Sequence, residues 1–142
     1  MKLIGFNLSK INVEKFTENV ENLKINTNIN ISDVKFVKAD FFKSKEELVG
    51  ITFIYTLNYE PDFAKIEFRG NFILALDPKL SKNVLKQWED KKIPEDFRIM
   101  LFNLIFRKTS VRALELEEEM NLPLHIALPS IKKQEPIESN KK

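Results

Sequence analysis

Apolar and polar side chains alternate along the first half of the chain, and this period of two is typical of strands whose two faces differ. The alternation is clearest over 48–59 and 63–76 and is also present over 24–31, while the short apolar segment 1–8 indicates a strand entering the core. Short connections between such segments favour antiparallel neighbours. The pattern therefore predicts a four-stranded antiparallel sheet.

Individual residues add detail to this prediction. Ser32-Asp33 interrupts the alternation, so a bulge is expected there before the strand continues over 34–42. Segment 43–47 is expected to be an exposed turn, and Glu60-Pro61-Asp62 a second one. Segment 11–23 mixes helical and irregular signals, and its pattern leaves its structure open.

The pattern changes after Asp77-Pro78, which has the form of a helix N-cap followed by proline at the first helical position. Apolar residues then recur at helical spacing over 78–92. A second helix is expected from Pro94, with acids in its first turn, where the helix dipole favours them. Strands first and helices afterwards predict an α+β fold, with two helices packed on one side of the sheet.

The second helix carries apolar residues on two opposite sides of a helical wheel, whereas a surface helix needs only one such stripe. The first stripe consists of Phe97, Met100, Leu101, Leu104, Ile105 and Val111. The second consists of Ile99, Phe102, Phe106 and Ala113. We predict that the second stripe forms a subunit interface. The alternative is that the first helix and the N-terminal segment cover it.

The segment 121–131, NLPLHIALPSI, is rich in apolar side chains but contains Pro123 and Pro129. Proline supplies no N–H to a helix or to a central strand, so this backbone has limited means of burying its apolar surface. The segment is either an exposed apolar surface or a plain hydrophobic cover that closes one end of the sheet.

Four acids precede this segment: Glu115, Glu117, Glu118 and Glu119. Acids near a helix C-terminus are unfavourable because the dipole is negative there. The helix is therefore expected to end near Leu114, unless these acids serve a contact. We predict a solvated acidic face rather than an acid–base pair.

Length and composition limit the class of protein. With 142 residues, 43% of them hydrophobic and 31% charged, the chain is large enough for a single domain, which we place at 1–131. The polar tail 132–142 is expected to be disordered. The net charge of +2 argues against nucleic-acid binding. The absence of cysteine, of a recognisable signal peptide and of a membrane-spanning run favours a cytoplasmic protein without membrane insertion.

Candidate chemistry is sparse. His125 is the only histidine, no cysteine is present, and no carboxylate stands at a metal-ligand spacing from it, so a buried or edge imidazole is expected rather than a ligand. Gly5, Gly50 and Gly70 are too scattered for a phosphate-binding loop. No catalytic residue, metal or cofactor is therefore expected. Only a pocket with polar side chains converging on His125 would favour an enzyme.

Three segments, in this order, resemble the SecB family of export chaperones. They are Ile4-Gly5-Phe6 in the opening strand, Gly70-Asn71-Phe72 in the last strand, and PLHIALP at 123–129, after the long helix. In that family the sheet ends in Gly-x-Phe, and the crossover loop reads Pro-x-Leu-Asn-Leu-Ala-Pro. The resemblance covers residues 3–131 and rests on pattern and order, with few identities.

The resemblance implies an ATP-independent chaperone, a holdase, that binds unfolded or nascent polypeptides in an apolar groove beside 121–131 and needs no cofactor. It also implies a homo-oligomer, either a tetramer built as a dimer of dimers or a dimer, with the second stripe of the long helix between subunits. The client-binding residues would be Met120, Leu122, Leu124, Ile126, Leu128 and Ile131.

The chain also departs from the family. Members that deliver clients to the SecA motor use acids at positions that correspond here to Leu3, Asn7 and Lys65, so docking to SecA is not expected. The family's C-terminal helix has no counterpart after residue 131. The alternative is therefore a dedicated SecB-like adaptor or antitoxin chaperone with one specific partner, or a structural subunit of an oligomer.

Overall fold

A computed structural model describes residues 1–19, 21–38 and 45–131 of the chain. Four strands, β1 (Lys2–Lys15), β2 (Lys24–Val37), β3 (Glu47–Glu60) and β4 (Ala64–Leu76), precede two helices, α1 (Pro78–Trp88) and α2 (Glu95–Glu119). Every strand pair is antiparallel, and the order across the sheet is β1-β4-β3-β2. The predicted α+β fold is confirmed, while the predicted disordered tail, 132–142, lies outside the described residues.

The two central strands, β3 and β4, show the clearest alternation in the sequence because one of their faces is wholly covered by the core. Their register places odd-numbered residues of β3 beside even-numbered residues of β4, as in the pair Tyr55 and Phe68. Each fully buried large side chain contributes about 1.5–3 kcal/mol relative to exposure. The fully buried set on this face is Val49, Ile51, Phe53, Tyr55, Leu57, Ile66, Phe68, Phe72, Leu74 and Leu76.

β1 is longer than the sequence predicted, because residues 11–15 of the open segment 11–23 also pair with β4. Register shifts occur between Leu3 and Gly5 and between Leu8 and Lys10. Each shift changes which side chains face the core. The sequence of β1 therefore does not alternate regularly between apolar and polar residues.

β2 contains the bulge predicted near Ser32, since its register with β3 shifts between Ile31 and Asp33. The strand ends at Val37 rather than continuing to residue 42, although residues 39–42 themselves lie outside the described part of the chain. The predicted turn after Glu60 is present and joins β3 to β4.

Gly70 in β4 allows a close approach between strands. A Cβ atom at this position would collide with the carbonyl oxygen of Asn7 in β1 and would lie 3.1 Å from both the Leu8 side chain and the Phe53 ring. The space above this glycine is filled by an aromatic cluster in which the rings of Phe6 and Phe53 are 5.5 Å apart.

Both helices begin where the sequence predicted. Asp77 caps α1, and its Oδ1 accepts hydrogen bonds from the backbone N–H groups of Lys79 at 2.8 Å and Leu80 at 3.4 Å. α2 begins at Glu95 and continues to Glu119, so it does not end near Leu114, and the other alternative, that the acids serve a contact, holds for Glu117.

The buried side of α2 winds around the helix, which corrects the two-stripe prediction. Buried residues recur every four positions, whereas the helix repeats every 3.6, so each step rotates the buried side by about 40°. The series is Phe97, Leu101, Ile105, Thr109, Ala113 and Glu117, and Leu104 and Leu116 are buried beside it. Ala113, predicted for a subunit interface, is therefore buried within its own chain, and Val111, predicted for the first stripe, is exposed.

Candidate functional site

The end of α2 is closed by a Schellman motif. The N–H of Leu122 donates to the carbonyl of Glu117 at 2.8 Å, and the N–H of Asn121 donates to the carbonyl of Glu118 at 3.3 Å. Asn121 adopts the left-handed conformation, with φ 55°, that this motif requires, and asparagine is tolerated there. Buried Leu122 supplies the apolar contact that usually accompanies the motif. The chain therefore turns back over the end of the helix.

Glu117 also organises this turn through its side chain, which is fully buried. Its Oε2 accepts a hydrogen bond from the backbone N–H of His125 at 3.0 Å and another from the Tyr59 hydroxyl. Its Oε1 lies 2.8 Å from Nδ1 of His125. An ionised carboxylate only accepts hydrogen bonds, so with Glu117 ionised this Nδ1 carries the hydrogen. We call these three side chains the Glu117 cluster.

The two tyrosines on β3 beside this carboxylate are held neutral. Burial, together with the nearby Glu117 carboxylate, raises the pKa of Tyr55 to about 12. Burial and the hydrogen bond to Glu117 both raise the pKa of Tyr59 above its ordinary value of 10.0. A neutral phenol can donate its hydrogen, so Tyr59 acts as a permanent donor to the buried carboxylate.

A cation from β1 supports the same corner of the molecule. Nζ of Lys15 donates to the carbonyl of Met120 at 3.2 Å, lies 5.9 Å from the centre of the Phe63 ring, and pairs with Glu18 at 3.2 Å. Positive charge near the last carbonyls of a helix is favourable because it opposes the dipole. Lys15 therefore offsets part of the acidic charge at the end of α2.

The six predicted client-binding residues separate into two groups. The loop base, residues 120–125, contains buried Leu122 and the half-buried Met120 and Leu124. The loop tip, residues 126–131, exposes its apolar side chains: Ile126 is 41% exposed, Leu128 is 54% exposed and Ile131 is fully exposed. The structure thus places the predicted apolar surface on the tip and uses the base to cover the core.

The four predicted interface residues are similarly divided. Ile99 and Phe106 lie on the exposed side of α2, with 51% and 39% of their surfaces accessible. Phe106 also makes an edge-to-face contact with Tyr55, at 6.5 Å between ring centres. Phe102 is half-buried and lines a groove, and Ala113 is buried. Ile99 and Phe106 are therefore the two residues of this set that present apolar surface to solvent.

A groove of about 930 Å³ lies between the edge strand β2, the end of α1 and the start of α2. Its apolar lining includes Ile31, Trp88 and Phe102, and its rim carries Lys92 and Arg98. The residues of α2 that line it precede the loop base by about 20 positions. At 1.5 Å per residue this is a distance of about 30 Å, so the groove and the loop tip are separate surfaces.

The face of the sheet away from the helices carries a charged network centred on Glu67. Its carboxylate pairs with Arg69 at 2.8 Å and with Lys10 and Lys65 at 3.4 Å each. The hydrogen bond from Arg69, supported by the two lysines, lowers the pKa of Glu67 from 4.5 to about 2. With one carboxylate and three cations, this network carries a net positive charge.

The three positions compared with the acidic positions of the SecB family do not share one surface. Lys65 belongs to the network around Glu67, and Asn7 is exposed opposite Asn71 on the same face. Leu3 pairs with Leu74 and packs against the core on the helix side. Leu3 therefore fills the core and is not on the face that carries Lys65.

Polar side chains do converge on His125, which is one part of the condition for considering an enzyme, while the other part is a pocket at that place. The His125 side chain is only 7% exposed and Glu117 is fully buried, and the carboxylate oxygens are engaged by groups of the chain itself. These contacts join the end of α2 to the loop base. Among residues 1–19, 21–38 and 45–131, no three His, Asp or Glu side chains are placed to hold a metal ion.

The prediction that all four acids form a solvated face was wrong for Glu117, while Glu115, Glu118 and Glu119 are exposed. Asn121 followed by Pro123 is the signal that could have placed the helix end correctly, because asparagine favours the left-handed position after a helix and proline cannot continue one. No comparable signal marks Glu117 among its acidic neighbours. None of the described helices is long and apolar enough to cross a membrane.

The comparisons with known proteins concern the fold. No family model matches the chain, and no curated protein matches its sequence. The fold is similar to that of a solved structure from Mycobacterium tuberculosis, the SecB-like chaperone Rv1957 in complex with a ChAD peptide from the Rv1956 HigA1 antitoxin. The two are 14% identical with a TM-score of 0.51, and the match covers 94% of this chain and 92% of that one. The chain therefore has a SecB-like fold.

Proposed function

We propose that this protein is an ATP-independent chaperone that binds non-native polypeptide through the loop tip. The observation that carries the proposal is the exposure of Ile126, Leu128 and Ile131 on a segment whose base is firmly held. Exposed apolar surface grouped in one place marks an interaction site. Binding to such a surface needs no nucleotide, because burial of apolar area drives it.

The similarity of fold supports the same class of function. The neighbour from Mycobacterium tuberculosis is a SecB-like chaperone that binds a peptide from an antitoxin. This favours a polypeptide as the partner of the present chain. Two forms of the proposal follow: a general holdase with many clients, which we favour, or an adaptor dedicated to one polypeptide.

Self-association is part of the proposal. Ile99 and Phe106 expose apolar surface on the outer side of α2, where a second copy of the chain would cover it. A dimer, or a tetramer built from two dimers, would hold several loop tips in one assembly. Multiple tips would raise the effective affinity for a long unfolded chain that can reach more than one of them.

The test is dilution of a chemically unfolded protein into buffer with this protein at near-equal concentration and no nucleotide, followed by light scattering. The general holdase suppresses aggregation, and replacing Ile126 and Leu128 together by serine removes that activity. The matched control is Val111→Ser, which removes an exposed apolar side chain from α2 rather than from the loop tip.

Two results would count against the general holdase. If the wild type does not suppress aggregation, the dedicated adaptor becomes the better form of the proposal. If the Ile126 and Leu128 double variant suppresses aggregation as well as wild type does, the loop tip is not the client surface.

A further inference from the structure

The Glu117 cluster joins the end of α2 to the middle of the loop. We infer that Glu117 and His125 are positioning residues for client binding, which hold the loop base so that the loop tip leaves the protein with its apolar side chains in solvent. This inference rests on the proposed function, because it concerns the same loop. It assigns a role to the chain's only histidine and to its one fully buried carboxylate among the described residues.

The backbone of the loop has few other attachments. The Schellman motif ends with the N–H of Leu122, and Pro123 has no N–H to offer. Between Leu122 and Ile131, within the part of the chain that the structure describes, the N–H of His125 is the one backbone donor with a hydrogen bond, and it donates to Glu117. The direction of the loop beyond residue 122 therefore depends on this carboxylate.

Two of the three donors to the Glu117 carboxylate belong to His125. With Glu117 ionised, each of these hydrogen bonds is roughly twice as strong as one between neutral groups. The third donor, the Tyr59 hydroxyl, comes from the sheet and binds Oε2, the oxygen that also accepts the hydrogen bond from the His125 backbone N–H. A loop held in this way loses less conformational entropy when a client binds its tip, which favours binding.

The imidazole ring also fills space in this corner. Its Nε2 is buried and has no hydrogen-bond partner among the described residues, so the ring is oriented by Nδ1 alone. An asparagine side chain can place an N–H donor close to the position of Nδ1. The His125→Asn variant should therefore restore much of what the His125→Ala variant loses.

The first test measures binding of a fluorescein-labelled, unstructured peptide of leucine, phenylalanine, serine and lysine, by fluorescence anisotropy without nucleotide. We expect His125→Ala to weaken binding about tenfold and His125→Asn to remain within about threefold of wild type. Val84→Ala, a cavity variant in the core beneath α1, controls for loss of stability alone and should bind normally. Leu128→Ser removes an apolar side chain of the loop tip itself and should weaken binding.

The outcomes separate this inference from the proposed function. Normal binding by His125→Ala, with weakened binding by Leu128→Ser, would overturn the positioning role and leave the client surface intact. Weakened binding by Val84→Ala, or failure of asparagine to restore binding, would also overturn the positioning role. Normal binding by Leu128→Ser would overturn the proposed function together with it.

A second test needs no variant. Amide hydrogen exchange of the wild-type protein should show the N–H of His125 protected, while those of Ala127 and Leu128 exchange rapidly. Equal exchange rates at His125 and Ala127 would overturn the inference, because the loop base would then be no more fixed than the tip.

Discussion

The side chain of Glu117, near the end of α2, is bound both by His125 of the loop base and by the hydroxyl of Tyr59 on β3. Glu117 and His125 are eight residues apart in the chain, and Tyr59 is 58 residues away from Glu117. A carboxylate buried without such donors would cost several kcal/mol, so all three side chains are coupled. The loop that follows α2 is thus tied to β3, a central strand of the sheet, close to the end of that strand.

Removing the Tyr59 hydroxyl should destabilise the protein. Tyr59→Phe leaves the buried carboxylate without one of its donors, and we expect a loss of about 1–3 kcal/mol in the free energy of unfolding, measured with urea. Tyr55→Phe is the matched control, because the hydroxyl that donates to Glu117 belongs to Tyr59 and not to Tyr55. Equal effects of the two changes would contradict the role of Tyr59 as a donor to Glu117.

Gly70 should not tolerate a larger residue. In Gly70→Ala the new Cβ would meet the carbonyl oxygen of Asn7, a backbone atom that cannot rotate away. We expect a loss of about 1–3 kcal/mol from the forced separation of β1 and β4, measured by urea unfolding. Gly5→Ala is the control, since a Cβ there meets nothing within 4 Å. A stable Gly70→Ala variant would mean that β1 can shift without cost.

Stability should fall in acid through Glu67. Its pKa is lowered in the folded protein, from 4.5 to about 2, so the unfolded chain takes up a proton first as the pH falls. The contribution of this residue is therefore complete above about pH 5 and is lost progressively towards pH 2. The stability difference between wild type and Glu67→Gln should be largest near neutral pH and shrink over this range. A difference that does not change with pH would contradict the ion-pair explanation.

Ile99 and Phe106 should control self-association. Replacing both by serine removes exposed apolar surface from α2, and we expect the molar mass from light scattering to fall to that of one chain. The free energy of unfolding of the single chain should fall by about 1–3 kcal/mol, because the Phe106 ring also contacts the buried ring of Tyr55. Val111→Ser provides the control on another side of the helix. An unchanged mass in the double variant would place the subunit contact elsewhere.

The sequence alone predicted a four-stranded antiparallel sheet and the starts of both helices, but not the order of the strands. The alternation of apolar and polar residues over β3 and β4 is strong because both strands are central and one of their faces is fully buried. Asp77 and Pro78 mark the start of a helix by local chemistry alone. β1 was only partly predictable, because its two register shifts interrupt the alternation and its last five residues are strand through pairing with β4.

The candidate site was predictable only in part. The apolar and proline content of 121–131 marked the loop, but its division into a covered base and an exposed tip depends on where the chain turns back. The helical wheel of α2 suggested two apolar stripes because a wheel assumes that the buried side runs parallel to the helix axis. On a twisted sheet, the side of a long helix that faces the sheet changes along its length.

The burial of Glu117 was decided by tertiary structure alone. In the sequence it is one of several similar acids, and nothing local distinguishes it from Glu118. Only the fold brings a tyrosine from β3 and a histidine from the loop to the same carboxylate, and only that arrangement makes its burial favourable. Local pattern determines which face of a strand is apolar, but the fate of a single charge depends on partners that are distant in the chain.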